Sequence, residues 1–361
     1  MHKTSRRIIT ITALLLGALL FLCCAVTACL VFFNSAPHFS LDAASGNEGL
    51  LVEPIDGEEI AVRFEVRRGE SSQSVGRRLA ESGLIRNQLF WDILCRFGKE
   101  HIKTGSYRIE VPASQIAIHR ILVSGKQILL RVTVPEGLTL TKTAKLMEEA
   151  GICPADTFVT AAIDPQIIER YRIPGISMEG YLYPDTYLFP PEFPAEKAVQ
   201  AMVDTFFSRI TDIDADTLSL PPEELNRLII LASIVEREYR LDEEAPLMAG
   251  VFINRLNINM ALQSCATVVY VITEVQGRPH PEMLYNRDIE IRDPYNTYIR
   301  PGLPPGPICS PGSVALRAVL NPSETNYMYF RLVNQASGKH YFSNTLDDHI
   351  RASVLYVKGG P

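Results

Sequence analysis

Leu231-Ala232-Ser233-Ile234-Val235-Glu236-Arg237-Glu238-Tyr239 reads as an apolar helix whose charge begins abruptly at its end. From Leu228 to Val235 no side chain is charged. The i−3, i−4 and i−7 neighbours of Glu236 are Ser233, Ala232 and Ile229, so the face below its carboxyl carries no compensating ion. A carboxyl leaving the buried end of such a helix is partly desolvated, which disfavours its anion and raises its pKa. That is the property a general acid needs near neutral pH. Periodicity alone leaves a second reading open, in which Glu236 begins the solvated end of the helix beside Arg237 and Glu238. Glu238 competes with it for any catalytic role.

Downstream, a second helix is expected from about Asp242 to Leu256, with Met248, Phe252 and Leu256 on one face. A long Pro- and Gly-bearing segment follows from Gly277 to Gly312. Segments of that length inside a domain are usually functional or disordered. Tyr295, Tyr298, Leu303 and Ile308 favour an ordered loop lining a groove. Upstream, a Pro- and acid-rich stretch from Pro190 to Pro222 encloses one amphipathic helix, roughly Ala195 to Ile210, expected to join two modules.

Before it lies a weak internal repeat. Val62-Arg63-Phe64-Glu65-Val66 alternates as a half-buried strand does, then come Gly69, a candidate N-cap at Ser71 and a helix ending near Gly83. Val132-Thr133-Val134, Gly137, Thr139 and Gly151 repeat that order at a constant offset, and Phe90 and Phe158 match at the same offset. Two strand–turn–helix units are therefore expected, with Gly marking the helix ends. They resemble small LysM-like glycan-binding modules.

At the N-terminus Lys3, Arg6 and Arg7 precede an uncharged run from Ile8 to Phe33. A bilayer core needs roughly 20 helical residues, and basic residues before the run favour a cytoplasmic N-terminus. A single-pass helix in the cytoplasmic membrane is expected, with the rest of the chain outside. A cleaved signal peptide usually has a shorter apolar region. Val26-Thr27-Ala28-Cys29 also has the look of a lipoprotein processing box, but Leu30 to Phe33 continue the apolar run past Cys29. The expected organisation is a cytoplasmic tail (1–7), a transmembrane helix (8–33), a flexible tether (34–61), an N-terminal module with the repeat (62–190), a linker with a helix (191–222) and a catalytic domain (223–361). The fold class is α+β, with a mixed α/β C-terminal domain.

The chain has 361 residues, is 47% hydrophobic and carries a net charge of −6. Slight acidity without Lys/Arg clusters beyond the N-terminus argues against a nucleic-acid partner. Seven cysteines are present. Cys95, Cys153, Cys265 and Cys309 lie beyond the apolar segment, where disulfides can persist. No CxxC or His-rich cluster points to a metal site, and no cofactor is expected.

Ser233-Ile234-Val235-Glu236-Arg237-Glu238, Val251-Phe252-Ile253-Asn254-Arg255-Leu256, Leu262-Gln263-Ser264, Thr267-Val268-Val269-Tyr270, Tyr295-Asn296-Thr297-Tyr298 and Gly302-Leu303-Pro304-Pro305-Gly306-Pro307-Ile308 together resemble the YceG-like family, endolytic murein transglycosylases of the MltG type. Thr104-Gly105-Ser106-Tyr107 and Glu179-Gly180-Tyr181-Leu182-Tyr183-Pro184-Asp185-Thr186-Tyr187 extend the likeness, which covers about residues 62 to 350.

The resemblance implies one transmembrane helix, a LysM-like subdomain, a C-terminal catalytic domain and Glu236 as catalyst. It implies cleavage of the β-1,4 bond between N-acetylmuramic acid and N-acetylglucosamine without water, leaving 1,6-anhydro ends and terminating nascent strands. Ordinary glycosidases use two carboxylates. Here the substrate's C6 hydroxyl is the nucleophile, so one carboxyl can serve as acid and then as base. Peptidoglycan glycan strands are the implied partner, with peptidoglycan synthases nearby. Substrate contacts are expected from Gln263, Tyr295, Asn296 and Tyr298, and support from Glu238, Asn254, Arg255, Thr267 and Asp185. For the amides and aromatics a purely structural loop contact is the competing reading.

The chain departs from the family at Cys265-Ala266, where the family commonly has Asp-Pro. That change keeps open a tethered glycan-binding scaffold with a decayed site, and a conventional hydrolytic muramidase is the further alternative. A Cys265–Cys309 disulfide is also considered.

Overall fold

The computed structural model describes residues 2–37, 50–54, 60–98 and 100–358. In chain order the elements are α1 (His2–Asn34), β1 (Leu50–Pro54), β2 (Ile60–Val66), α2 (Ser72–Glu81), α3 (Gln88–Phe97), β3 (Gly105–Val111) and α4 (Gln115–Ser124). Then come β4 (Leu130–Thr133), α5 (Leu140–Glu149), α6 (Ala155–Ala162), α7 (Pro165–Tyr171), β5 (Thr186–Phe189), α8 (Ala195–Ile213) and α9 (Pro222–Glu236). The chain continues through α10 (Ala245–Asn257), α11 (Cys265–Tyr270), α12 (Asn286–Ile289), α13 (Ser313–Leu320), β6 (Tyr329–Asn334), β7 (Lys339–Ser343) and α14 (Leu346–Lys358). Two compact units result, 1–129 and 130–361.

In the first unit β1, β2 and β3 form an antiparallel sheet. Val62 faces Ile109 and Phe64 faces Tyr107 across it, so alternate positions feed one core with Leu79, Trp91, Ile118 and Leu122. Trp91 is fully buried and its indole N–H donates to the Ser72 carbonyl at 3.0 Å, so burial leaves no orphaned donor. The helix α1 is long and apolar enough to cross a membrane over Leu16–Asn34. Its last residue is tied in: the Ile116 N–H donates to the Asn34 side chain at 3.0 Å.

In the second unit β4 pairs antiparallel with β5, Val132 opposite Tyr187, and β6 pairs with β7. The helices α5–α10 and α13 supply a single core that includes Phe158, Met202, Phe206, Ile234, Phe252 and Leu316. The helix α9 starts with Pro222 in its first turn beside Glu223 and Glu224, which suits the free N–H groups and positive end of the dipole. From Ile229 to Val235 every residue is buried. Burying one such aliphatic side chain contributes about 1.5–3 kcal/mol, which holds the helix more firmly than its propensity does.

The repeat takes parallel forms. Gly69 and Gly137 have φ of 77° and 75°, and Gly83 and Gly151 have 68° and 72°. Ser71 and Thr139 cap α2 and α5, accepting from the Ser74 and Lys142 N–H groups. Three features of the structure bear on the expected boundaries. Strand β1 adds ordered chain inside the stretch assigned to a tether, of which 38–49 and 55–59 lie outside the described residues. The module expected over 62–190 divides after Leu129, because β4 pairs with β5 and its helices share the C-terminal core. The helix of the expected linker, α8, is a core helix with Ala198, Val199, Met202, Val203 and Phe206 buried.

Candidate active site

Glu236 is the last residue of α9, and its side chain is only partly buried. The Gly312 N–H donates to Glu236 Oε2 at 2.9 Å. Burial pushes the carboxyl up to about 7; the Gly312 bond and Arg237 oppose this, while the charge of Glu136 adds to it. Tyr239 is its other side-chain hydrogen-bond partner.

Two backbone turns build the wall beside it. The Gly137 N–H donates to the Ser310 carbonyl at 2.9 Å, and the Ser310 N–H returns to the Leu138 carbonyl at 2.8 Å. Gly137 is left-handed, and a Cβ there would stand 3.7 Å from Glu236 Cγ. The first turn thus brings Glu136 near Glu236, and the second brings the Gly312 donor. Within α9, Ser233 locks the same loop, since its hydroxyl accepts from the Ile308 N–H at 3.0 Å.

A second buried acid was not among the expected site residues. Glu179 accepts from the Leu140 N–H with both oxygens, each at 3.1 Å, at the first turn of α5. Burial raises it to about 8 against the Leu140 and Gly180 bonds, with Glu274 contributing to the rise. The Tyr270 hydroxyl donates to it at 3.5 Å. Tyr270 packs on Tyr295, ring centroids 4.9 Å apart, so Tyr295 belongs to the Glu179 side. The Cys309 thiol donates to the Ser233 carbonyl and feels the fields of both Glu236 and Glu179.

On the other side of Arg237 opens a polar cavity of about 480 Å³, lined by Arg237, Glu238, Arg255, Gln263, Cys265 and Tyr298 among others. Gln263 is exposed and left-handed at φ 52°, a strained conformation held by its N–H bond to the Thr297 carbonyl at 3.0 Å. The Glu238 carboxyl accepts from the Ser264 hydroxyl and the Ala266 backbone; burial still raises its pKa. Glu236 does not line this cavity. A larger hollow of about 750 Å³, between α5, α6 and the start of α8, holds none of the candidate residues.

The YceG-like family model matches residues 64–354. The chain belongs to the YceG-like family. It is 28% identical over 328 residues to a Streptococcus pneumoniae protein named endolytic murein transglycosylase, covering 81% of this chain and 58% of that one. The chain thus spans little more than half the length of its pneumococcal relative. A Bacillus subtilis protein of the same name is 27% identical over 325 residues, covering 85% of this chain and 88% of the relative. The crystal structure of a YceG-like protein from Listeria monocytogenes superposes with a TM-score of 0.55 at 28% identity, covering 81% of this chain and 98% of that one.

In this YceG-like chain several expected site residues make bonds to the scaffold. Asn296 is fully buried; its amide donates to the Ile289 and Ile291 carbonyls at 2.9 and 2.8 Å and accepts from the Tyr298 N–H. Both amide hydrogens are thus spent within the loop, and the side chain braces it. Thr267 is likewise buried and bonded to Ser264 and Thr297. Asn254 donates to the Thr325 and Tyr327 carbonyls, and Arg255 to those of Met328 and Leu262. Asp185 caps Thr186 and pairs with Arg209 at 2.9 Å; burial alone would raise it, but these bonds hold it below the usual range. Cys265 and Cys309 are free thiols. Cys309 is buried against Ser233, whereas Cys265 is exposed beside the Tyr298 hydroxyl at 3.0 Å, so the considered disulfide is absent.

Proposed function

We propose that this chain is a membrane-anchored endolytic murein transglycosylase with Glu236 as its single acid–base group. The observation that carries the reading is a partly exposed carboxyl at the end of a buried helix, raised to about 7, in a family whose curated relatives bear that name. A proton held near neutrality can be given to the glycosidic oxygen between N-acetylmuramic acid and N-acetylglucosamine. The resulting anion then takes the proton of the C6 hydroxyl as that oxygen closes on C1, giving a 1,6-anhydro end. The Gly312 N–H stabilises the carboxylate in that second role. Glu238 is the weaker candidate, because its oxygens are engaged by Ser264 and Ala266.

Gln263 and Tyr298 remain as proposed substrate contacts on the cavity side, and Tyr295 on the Glu179 side. The strand–turn–helix units fit LysM-like glycan binding. The basic residues before the apolar helix support a cytoplasmic N-terminus and a catalytic unit outside the cytoplasmic membrane. There it would meet strands leaving the peptidoglycan synthases.

One observation favours a water-using muramidase: Glu136 supplies a second carboxylate whose charge reaches Glu236. A non-cleaving scaffold is the other alternative: Cys265-Ala266 stands where the resemblance implies Asp-Pro. Incubation of the detergent-solubilised full chain with purified sacculi separates them. Anhydro-ended fragments are expected. New reducing ends would establish the muramidase, and binding without fragments the scaffold.

A further inference from the structure

We propose that the polar cavity beyond Arg237 is a subsite for a carboxylate on a peptide branch of the glycan. The inference rests on the transglycosylase reading and adds to it a group that reads the substrate's side branches. Its first support is charge. Arg237, Arg240, Arg255 and Arg331 all line the cavity, while Glu238 is the only acid there and has its carboxyl against the Ser264 hydroxyl. Arg255 donates from Nε and Nη1 to backbone carbonyls. Among the described residues Arg240 and Arg331 form no side-chain hydrogen bond or ion pair, so two guanidinium forks are unspent at one rim. Guanidinium groups bind carboxylates through paired, charge-assisted bonds.

The second support is an orphaned polar atom. His349 lines the same cavity, packs on Tyr329 at 5.4 Å, and its Nδ1 is buried with no partner. A buried polar atom left unpaired costs roughly 1–3 kcal/mol, and a ligand entering the cavity would recover it. The other histidine is not available in this way: His340 Nδ1 is bonded to Glu244 at 2.7 Å.

Position supplies the third. Arg237 directly follows Glu236, and its guanidinium also donates to the Gly137 carbonyl at 3.4 Å, in the wall beside the proposed catalyst. A strand threaded past Glu236 therefore meets the cavity with a neighbouring sugar. About 480 Å³ admits a short peptide terminus. For a cut inside a strand, the anions near the scissile bond are branch carboxylates; the lipid pyrophosphate lies at the far strand end. Carboxylate is therefore the assignment, and phosphate the competing anion.

The test uses full-length protein carrying Glu236→Gln, which holds strands without cutting them. Its affinity is measured for peptide-bearing strands and for strands stripped of peptide by an amidase. An affinity preference of about tenfold for peptide-bearing strands is expected, the worth of one good charge-assisted pair. Adding Arg240→Gln and Arg331→Gln should bring the ratio to about one, while Arg331→Lys alone retains part of it. Thermal melting checks that the double variant folds; if it does not, loss of the preference in the single Arg331→Gln protein is read instead. No preference at the outset, or one indifferent to both arginines, overturns the proposal. So does displacement of stripped and peptide-bearing strands alike by inorganic phosphate, which would mark a phosphate site. Failure of the parent protein to cleave sacculi removes the transglycosylase reading and leaves this binding ratio measurable on its own.

Discussion

Burial raises both Glu236 and Glu179, but they sit in different surroundings and respond to substitution differently. Glu236→Gln keeps the Gly312 bond, since an amide oxygen also accepts, but can neither give nor take a proton. Cleavage of sacculi should fall by about 10²–10⁴ with the melting temperature little changed. Because the protonated form starts the reaction, wild-type cleavage should decline as pH rises through about 7. A rate that climbs through that pH would make Glu236 a base from the outset. Burial pushes the Glu179 carboxyl up to about 8 in the folded chain, against an ordinary value of 4.5. Between those values the native state keeps a proton that the unfolded state releases, so stability falls as pH rises through the window. Glu179→Gln should flatten that fall: its melting temperature drops less between mildly acidic and mildly alkaline buffer than the wild type's. Equal slopes would show that Glu179 ionises freely. The apolar residues before Glu236 make it legible in the sequence, although the Gly137 and Gly312 turns beside it come from elsewhere in the chain. Glu179 is not, because its burial comes from α5 and Tyr270, distant in the chain.

Elements were legible where a local period or a cap specified them. Ser71 and Thr139 mark helix starts and act as caps, and Val62 to Val66 lies in β2. Pairing was not legible. Val132 finds its partner at Tyr187, and no local pattern announces a ladder over that separation. For the same reason α8, flanked by prolines, reads as a linker although its apolar face closes the core. One residue tests how these elements hold the site. Gly180 follows Glu179 with φ +86°, and a Cβ there would stand 2.5 Å from Pro307 and 3.2 Å from Ile229. It lets the Glu179 turn press on the 302–308 loop and on α9. Gly180→Ala should destabilise the fold by roughly 1–3 kcal/mol or more, through strain and overpacking together. Urea unfolding measures it, and a neutral outcome would mean the loop yields without cost.

At the scale of the whole chain, one apolar helix carries the proposed membrane topology. Leu19, Leu20, Phe21, Leu22 and Phe32 are all more than half exposed, a surface with no stable place in water but a natural one in lipid. Lys3, Arg6 and Arg7 lie on one side of that run, which biases insertion toward a cytoplasmic N-terminus. The end of α1 then bears directly on the first unit, through Asn34 on the Ile116 N–H and Arg86 on the Phe32 ring at 4.8 Å. The helix end and the first unit are thereby joined by packing as well as by chain. On the proposed topology a protease added outside should find the folded units and not the helix. In cells stripped of their wall, a tag on the C-terminus should be lost to external protease while a tag on the N-terminus survives until the membrane is permeabilised. The reverse pattern would put Glu236 in the cytoplasm, away from any polymerised wall glycan, and the catalytic proposal would fail for want of a substrate whatever the carboxyl's pKa.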